Sequence, residues 1–266
     1  MPEQRLTDTV LTAPEGVHVV EQVVLESRGV PYRELNARIH GLVEEGVSAI
    51  RLNGLIGQRY IGTNLRHPVH LTIDGVPGND LGAFMDGPTI EVLGSAQDGC
   101  GNTMNGGAII IHGSAGDIIG HSMRGGEIYV RDSVGYRVGI HMKEYESMRP
   151  VIVIGGTAQH FLGEYMAGGI LIVLGTNLGS GVAHPSHYVG TGMHGGAIYL
   201  RGRVDTNLVG KEVGQMPLGP EDHLILQRYV GEYCRYFRAD AEALLRGPFT
   251  KLAPLTKRPY GRLYAY

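Results

Sequence analysis

The sequence predicts an all-β solenoid, a parallel β-helix of about eight coils with short capping helices at both ends. Three observations predict it. A short apolar stretch recurs as Ile50-Arg-Leu-Asn-Gly54, Leu71-Thr-Ile-Asp-Gly75, Ile90-Glu-Val-Leu-Gly94, Ile109-Ile-Ile-His-Gly113, Ile128-Tyr-Val-Arg-Asp132, Val151-Ile-Val-Ile-Gly155, Leu171-Ile-Val-Leu-Gly175 and Ile198-Tyr-Leu-Arg-Gly202. Methionine keeps one phase within this repeat: Met85, Met104, Met123, Met142, Met166 and Met193 each follow a glycine by three residues. The 42 glycines recur at fixed positions among β-branched residues and do not form low-complexity runs.

In chain order, residues 1–47 form an N-terminal segment. Its first 30 residues hold no assignable element, but Tyr32 to Glu45 carries Leu35, Ile39, Leu42 and Val43 at helical spacing and stops at Gly46. Residues 48–212 form the solenoid. A unit of about 20 residues cannot bury its apolar face alone, so neighbouring copies must stack, strand on equivalent strand, about 4.8 Å apart. Gly54, Gly75, Gly94, Gly113, Gly155, Gly175 and Gly202 mark the turns that end the strands. Equal phase places Leu65, Met85, Met104, Met123, Met142, Met166 and Met193 one above another as an interior ladder, where a flexible thioether fills the gap beside a glycine corner. A copper track is the rival reading of that row, but soft-metal sites need inward Cys or His beside Met, and the interior is otherwise aliphatic.

Residues 213–266 close the chain. Gly219-Pro220-Glu221-Asp222 opens a helix with proline and acids in its first turn, and Ile225, Tyr229, Tyr233, Phe237, Ala241 and Leu244 form its stripe. Exposed strand edges and an open core at the coil ends need cover, which assigns the two flanking helices to the ends. Pro248 to Tyr266 contains no acid and reads as an extended basic arm, lying either on its own solenoid or on a partner. Lys251, Lys257, Arg258, Tyr260, Arg262 and Tyr264 are the candidate partner contacts.

A net charge of −3 gives no reason to expect nucleic acid or an anionic membrane as partner. Two cysteines, Cys100 and Cys234, are too few for a disulfide framework or an iron–sulfur cluster. Met1-Pro-Glu-Gln-Arg leads into no apolar signal region and no apolar run nears 18 residues, so the expected location is the cytoplasm.

Motifs that carry chemistry are weak. Gly190-Thr-Gly192-Met-His-Gly195 fits a dinucleotide-binding pattern by letter, yet it runs into a strand rather than a helix N-terminus. His112-Gly-Ser114 lacks the Gly-x-Ser-x-Gly pattern of a nucleophile elbow, and Ser114 lies at a repeat turn in the phase of Ser95. The enlarged coil seven, Thr176 to Val189, holds His184 and His187 and is followed by His194; three histidines could ligate zinc, but no nearby Asp, Glu or Cys completes the set, and a surface or interface loop is the plainer reading. The insertion Lys143 to Arg149 in coil five reads as a solvated bulge or contact. No catalytic residue, cofactor site or metal site is expected on this chain.

Gly75-Val-Pro-Gly78-Asn-Asp-Leu-Gly82-Ala-Phe-Met85, Gly126-Glu-Ile-Tyr-Val-Arg-Asp132 and Gly163-Glu-Tyr-Met166-Ala-Gly168-Gly169-Ile-Leu-Ile-Val-Leu-Gly175 resemble, in order, coils of the Gly-x-Gly-x-Gly domain at the C-terminal end of the glutamate synthase large subunit. The resemblance covers roughly residues 35 to 260. It implies a right-handed β-helix without catalytic residues, packed between a glutamine amidotransferase and an FMN-binding synthase, so that FMN and an iron–sulfur cluster sit on partner subunits. Here those parts would be other chains, as in split glutamate synthases and N-methylglutamate synthase. A homo-oligomer is a further expectation. A second resemblance, on the repeat alone, is to the C subunit of formylmethanofuran dehydrogenase and of formyltransferase/hydrolase complexes. Asp132 in place of a turn glycine, Asp86-Gly87-Pro88 in place of Gly-Gly and the enlarged coil seven depart from the glutamate synthase pattern.

Overall fold

The computed structural model describes residues 8–11 and 22–256. Eight parallel strands stack in chain order: β3 (Ala49–Ile56), β4 (His70–Val76), β5 (Thr89–Val92), β6 (Ala108–Ile111), β7 (Glu127–Val130), β8 (Val151–Ile154), β9 (Ala167–Val173) and β10 (Gly195–Arg201). Before them, β2 (Gln22–Glu26) adds a further parallel strand to β3, and β1 (Asp8–Leu11) pairs antiparallel with β2. The stretch containing β2 is left without an element by sequence reasoning, although Val23 and Leu25 register against Ile50 and Leu52.

The register is strict because one face of each strand must enter the core. Leu52, Ile73, Val92, Ile111, Val130, Ile154, Val173 and Leu200 pair in succession along the axis and are all buried. Across the interior, Leu65 and the six phased methionines belong to the same core. A residue that is fully enclosed in this way removes roughly 1.5–3 kcal/mol worth of apolar surface from water.

The expected count of eight coils is high. Eight strands stack, but the chain makes about six regular turns. The connection from β2 to β3 is a helix, that from β9 to β10 is enlarged, and β10 leads into an antiparallel closure.

Helix α1 (Tyr32–Glu44) closes the first end. Its Leu35, Ile39, Leu42 and Val43 join the solenoid core, while Asn36 Nδ2 donates to the Arg59 carbonyl at 3.0 Å and His40 Nε2 lies 3.0 Å from that of Thr63.

The C-terminal helix α2 (Pro220–Phe237) does not cap the other end. It crosses the outer face of the sheet, where Tyr129, Val151, Val153, Ile170, Ile172 and Tyr199 form a second core with its Leu226, Tyr229, Val230 and Tyr233. The cause lies in the outward strand positions. Arg51, Thr72 and Glu91 on β3 to β5 tolerate water, whereas Tyr129, Val153, Ile172 and Tyr199 in the same register do not. Eighteen helical residues span about 27 Å, enough to cross five or six strands.

The far end is closed by strands instead. After the short 3-10 turn Thr206–Leu208 come β11 (Val213–Met216), then α2, α3 (Ala241–Leu245) and β12 (Phe249–Pro254). β12 pairs antiparallel with β10 and carries β11 on its other edge, so the open edge of β10 is occupied. The described part of the arm therefore packs on its own solenoid.

Candidate functional site

Between strands, each coil turns through a corner with positive φ at three alternate residues. The corners are Tyr60/Gly62/Asn64, Asp80/Gly82/Phe84, Gly99/Gly101/Thr103, Ile118/Gly120/Ser122, Arg137/Gly139/His141, Phe161/Gly163/Tyr165 and Tyr188/Gly190/Gly192, with φ between 52° and 72°. The middle residue is always glycine. A Cβ there would point inward against a strand side chain: Gly62 against Ile90 Cδ1 at 2.7 Å, Gly82 against Ile109 Cδ1 at 2.9 Å, Gly163 against Ile198 Cδ1 at 2.7 Å. The flanking residues face outward, so larger side chains fit despite a backbone cost on the order of 1 kcal/mol each.

In the later coils these outward positions and their neighbours carry rings and stack into a ridge. The Arg137 guanidinium lies over Phe161 at 4.7 Å, and Phe161 stacks on Tyr188 with centroids 4.9 Å apart. One row across, His141 stacks on Tyr165 at 5.4 Å and 9°, with His121 edge-on to His141 at 6.1 Å. Tyr136, His160 and His187 form a third row, with centroids 5.5 and 4.6 Å apart. Arg137 Nε also donates to Glu164 Oε2 at 3.0 Å, which fixes the guanidinium against the ring. Tyr136, Tyr165 and Tyr188 remain 43%, 44% and 55% exposed.

Electrostatically the ridge is mild. Partial burial, then the neighbouring His141, lower the His121 pKa, with Asp80 acting in the opposite sense. Flat, rigid rings held at rung spacing suit recognition: they offer large contact area at little cost in side-chain entropy.

The histidines singled out in coil seven do not converge. His184 is buried and its Nε2 donates to the Arg201 carbonyl at 2.8 Å, leaving a buried Nδ1 without a hydrogen-bond partner among the described residues. Desolvation lowers its pKa. His187 belongs to the ridge, and His194 Nδ1 lies 3.3 Å from the Gly192 carbonyl. Among the described residues no group of three or more His, Cys, Asp or Glu side chains is arranged to hold a metal.

The turn glycines divide in two. Gly54, Gly75, Gly175 and Gly202 have positive φ, whereas Gly94, Gly113 and Gly155 are fixed by crowding, a Cβ on Gly113 meeting Ser95 Oγ at 2.5 Å. Gly190 and Gly192 are corner residues, and Gly195 opens β10, so no helix N-terminus follows the nucleotide-like pattern. His112 Nε2 pairs with Glu91 Oε1 at 2.8 Å on the outer sheet face, away from Ser114. Lys251 pairs with Asp222 at 2.7 Å inside the fold. Lys257, Arg258, Tyr260, Arg262 and Tyr264 lie outside the described residues.

Sequence reasoning missed the ridge. Its signal was an aromatic or imidazole ring two residues to either side of the corner glycine, at Phe161, Tyr165, Tyr188 and His141. No helix among the described residues is long and apolar enough to cross a membrane.

Residues 35–254 match the family described as GXGXG motif. An uncharacterised protein of Methanocaldococcus jannaschii is 48% identical over 256 residues, which cover 92% of this chain and 97% of that protein. Among solved structures, a chain of the formyltransferase/hydrolase complex of Methylorubrum extorquens, determined with methylofuran bound, aligns with a TM-score of 0.59 at 23% identity, covering 77% of this chain and 73% of that one. That likeness is one of fold.

Proposed function

The chain belongs to the GXGXG motif family, and from that premise we propose that it is a non-catalytic structural subunit of a multi-subunit complex of the glutamate synthase type. In this reading it spaces and couples a glutamine amidotransferase chain and an FMN-binding synthase chain, and FMN and an iron–sulfur cluster reside on those partners. The observation that carries the scaffold role is the ridge of contacting rings on a solenoid, with Tyr136, His141, Tyr165 and Tyr188 exposed, His141 stacked on Tyr165, and the half-buried Phe161 stacked on Tyr188. Exposed aromatic clusters of this kind are characteristic of contact surfaces. The glutamate synthase type is supported by the coil sequences from Gly75 to Gly175 and by the helix and arm that follow coil eight.

A second reading has its own support. The likeness in fold to a chain of a formyltransferase/hydrolase complex favours a C-type subunit in an assembly of that class. Affinity purification of the full chain from its native host separates the two. Recovery of amidotransferase and flavin synthase chains supports the first, recovery of formyltransferase or molybdenum or tungsten chains supports the second, and substrate turnover by the isolated chain would defeat both.

A further inference from the structure

Coil seven and the β10 end of the sheet form an open cleft of about 500 Å³, lined in part by Gly179, Ser180, Gly181, Arg201 and Arg203 and by no carboxylate. That size lies within the range of small-molecule sites. Its two arginines differ in what holds them. Arg201 is fixed by backbone carbonyls alone, with Nε donating to Leu244 at 2.8 Å and the two terminal nitrogens 3.5 Å from the carbonyls of Leu174 and Ala243. Its positive charge meets no acid among the described residues. Arg203 is exposed, and its side chain makes no hydrogen bond or ion pair among the described residues. In the same lining, the backbone amides of Gly179, Ser180 and Gly181 donate to no protein group among the described residues, and Gly181 has φ 75°. Successive free amides in a turn with a left-handed residue form a concavity that binds anions.

We propose that this cleft binds a phosphate-bearing small molecule. The pre-fixed Arg201 and the exposed Arg203 grip the phosphoryl oxygens through charge-assisted hydrogen bonds, and the amides of the Gly179–Gly181 turn complete the cradle. The site is separate from the aromatic ridge and independent of which complex the chain joins. Its position gives a ligand there contact with both the enlarged loop, through Gly179 to Gly181, and the residue that leads into β12, Pro248.

Isothermal titration of the full chain with inorganic pyrophosphate tests the proposal, with succinate as the carboxylate arm. Saturable pyrophosphate binding is expected, weakened at least about tenfold by Arg203→Ala and by Ser180→Pro, which deletes one cradle amide, and unchanged by Arg66→Ala, an exposed arginine of the first coil. Succinate is expected to bind at least about tenfold more weakly. No saturation by about 10 mM pyrophosphate, equal binding by Arg203→Ala with an unchanged melting curve, or succinate binding as tightly as pyrophosphate would each overturn it.

Discussion

The Tyr199 hydroxyl donates to Asp222 Oδ1 at 2.6 Å in a buried contact between β10 and the first turn of α2. The same oxygen lies 2.7 Å from Lys251 Nζ on β12, and Oδ2 accepts the Gly219 amide at 2.7 Å, capping the helix. One carboxylate thus fastens the crossing helix and the terminal strand to the solenoid. Burial works to raise its pKa, but the hydrogen bonds from Lys251, Tyr199 and Gly219 outweigh that and hold it below the ordinary carboxylate value.

Asp222→Asn is therefore expected to cost about 2–3 kcal/mol, because it leaves the Lys251 charge uncompensated and forfeits the charge-assisted bonds. A carboxyl whose folded pKa is depressed contributes stability that is present above its unfolded pKa, near 3.9, and is lost as pH falls through the folded value. Urea midpoints at pH 7, 5, 4 and 3 should fall more steeply in the parent chain than in Asp222→Asn. Parallel curves would remove Asp222 from the clamp.

The corner geometry makes a contrast between neighbours. At Gly120, φ is 67° and a Cβ would collide with Ile152 Cδ1 inside the core; at Ser122, φ is 54° with the side chain outward. Gly120→Ala should destabilise by about 2–4 kcal/mol through overpacking and backbone strain together. Ser122→Gly should be neutral or stabilising by about 0.5–1 kcal/mol, since glycine relieves the left-handed cost while adding some unfolded-state entropy. Equal effects in thermal unfolding would show that the middle glycine is not set apart by its inward direction.

The stacked strands and the phased interior could be read directly because a period-2 strand with one buried face repeats its aliphatic positions. Ile109 and Ile111 or Leu171 and Val173 announce themselves without knowledge of the fold. The placement of α2 was also encoded, in the change of outward residues from Thr72 and Glu91 to Tyr129, Val153 and Ile172, but assigning flanking helices to the coil ends ignored it. Helical periodicity in Tyr229 and Tyr233 says that a face is buried and not which surface buries it. The ridge was harder. It arises because left-handed φ at alternate residues throws the flanking side chains outward, and no periodicity in the sequence marks that direction. His184, His187 and His194 looked like a cluster because they are close in sequence, yet the coil-seven loop turns His184 into the protein and His187 out of it.

Cys100 and Cys234 should behave as inert structural thiols. Complete burial, with Asp80 and Asp98 adding to it, pushes Cys100 up to about 12, and desolvation followed by Asp240 raises Cys234. The thiolate is the reactive form, so at pH 8 neither residue should label with a disulfide reagent in the folded chain, while both should label on denaturation. Fast labelling of Cys100 under native conditions would mean that the interior of coil three opens readily.

Tyr165→Ser with Tyr188→Ser separates contact from folding. Both rings are about half exposed and pack on His141 and on Phe161 from outside the core. Their loss should change stability by less than about 1 kcal/mol, as for other surface positions. If the ridge seats a partner, each tyrosine should contribute about 1–2 kcal/mol to that contact, so the double substitution should weaken assembly by roughly 30-fold or more in a titration against the purified partner subunits. The ridge, being built from consecutive coils, presents these rings in fixed register, and substituting Tyr60 in coil one, outside the ridge, should leave affinity unchanged. Loss of affinity from Tyr60→Ser equal to that from the ridge pair would place the contact elsewhere on the solenoid.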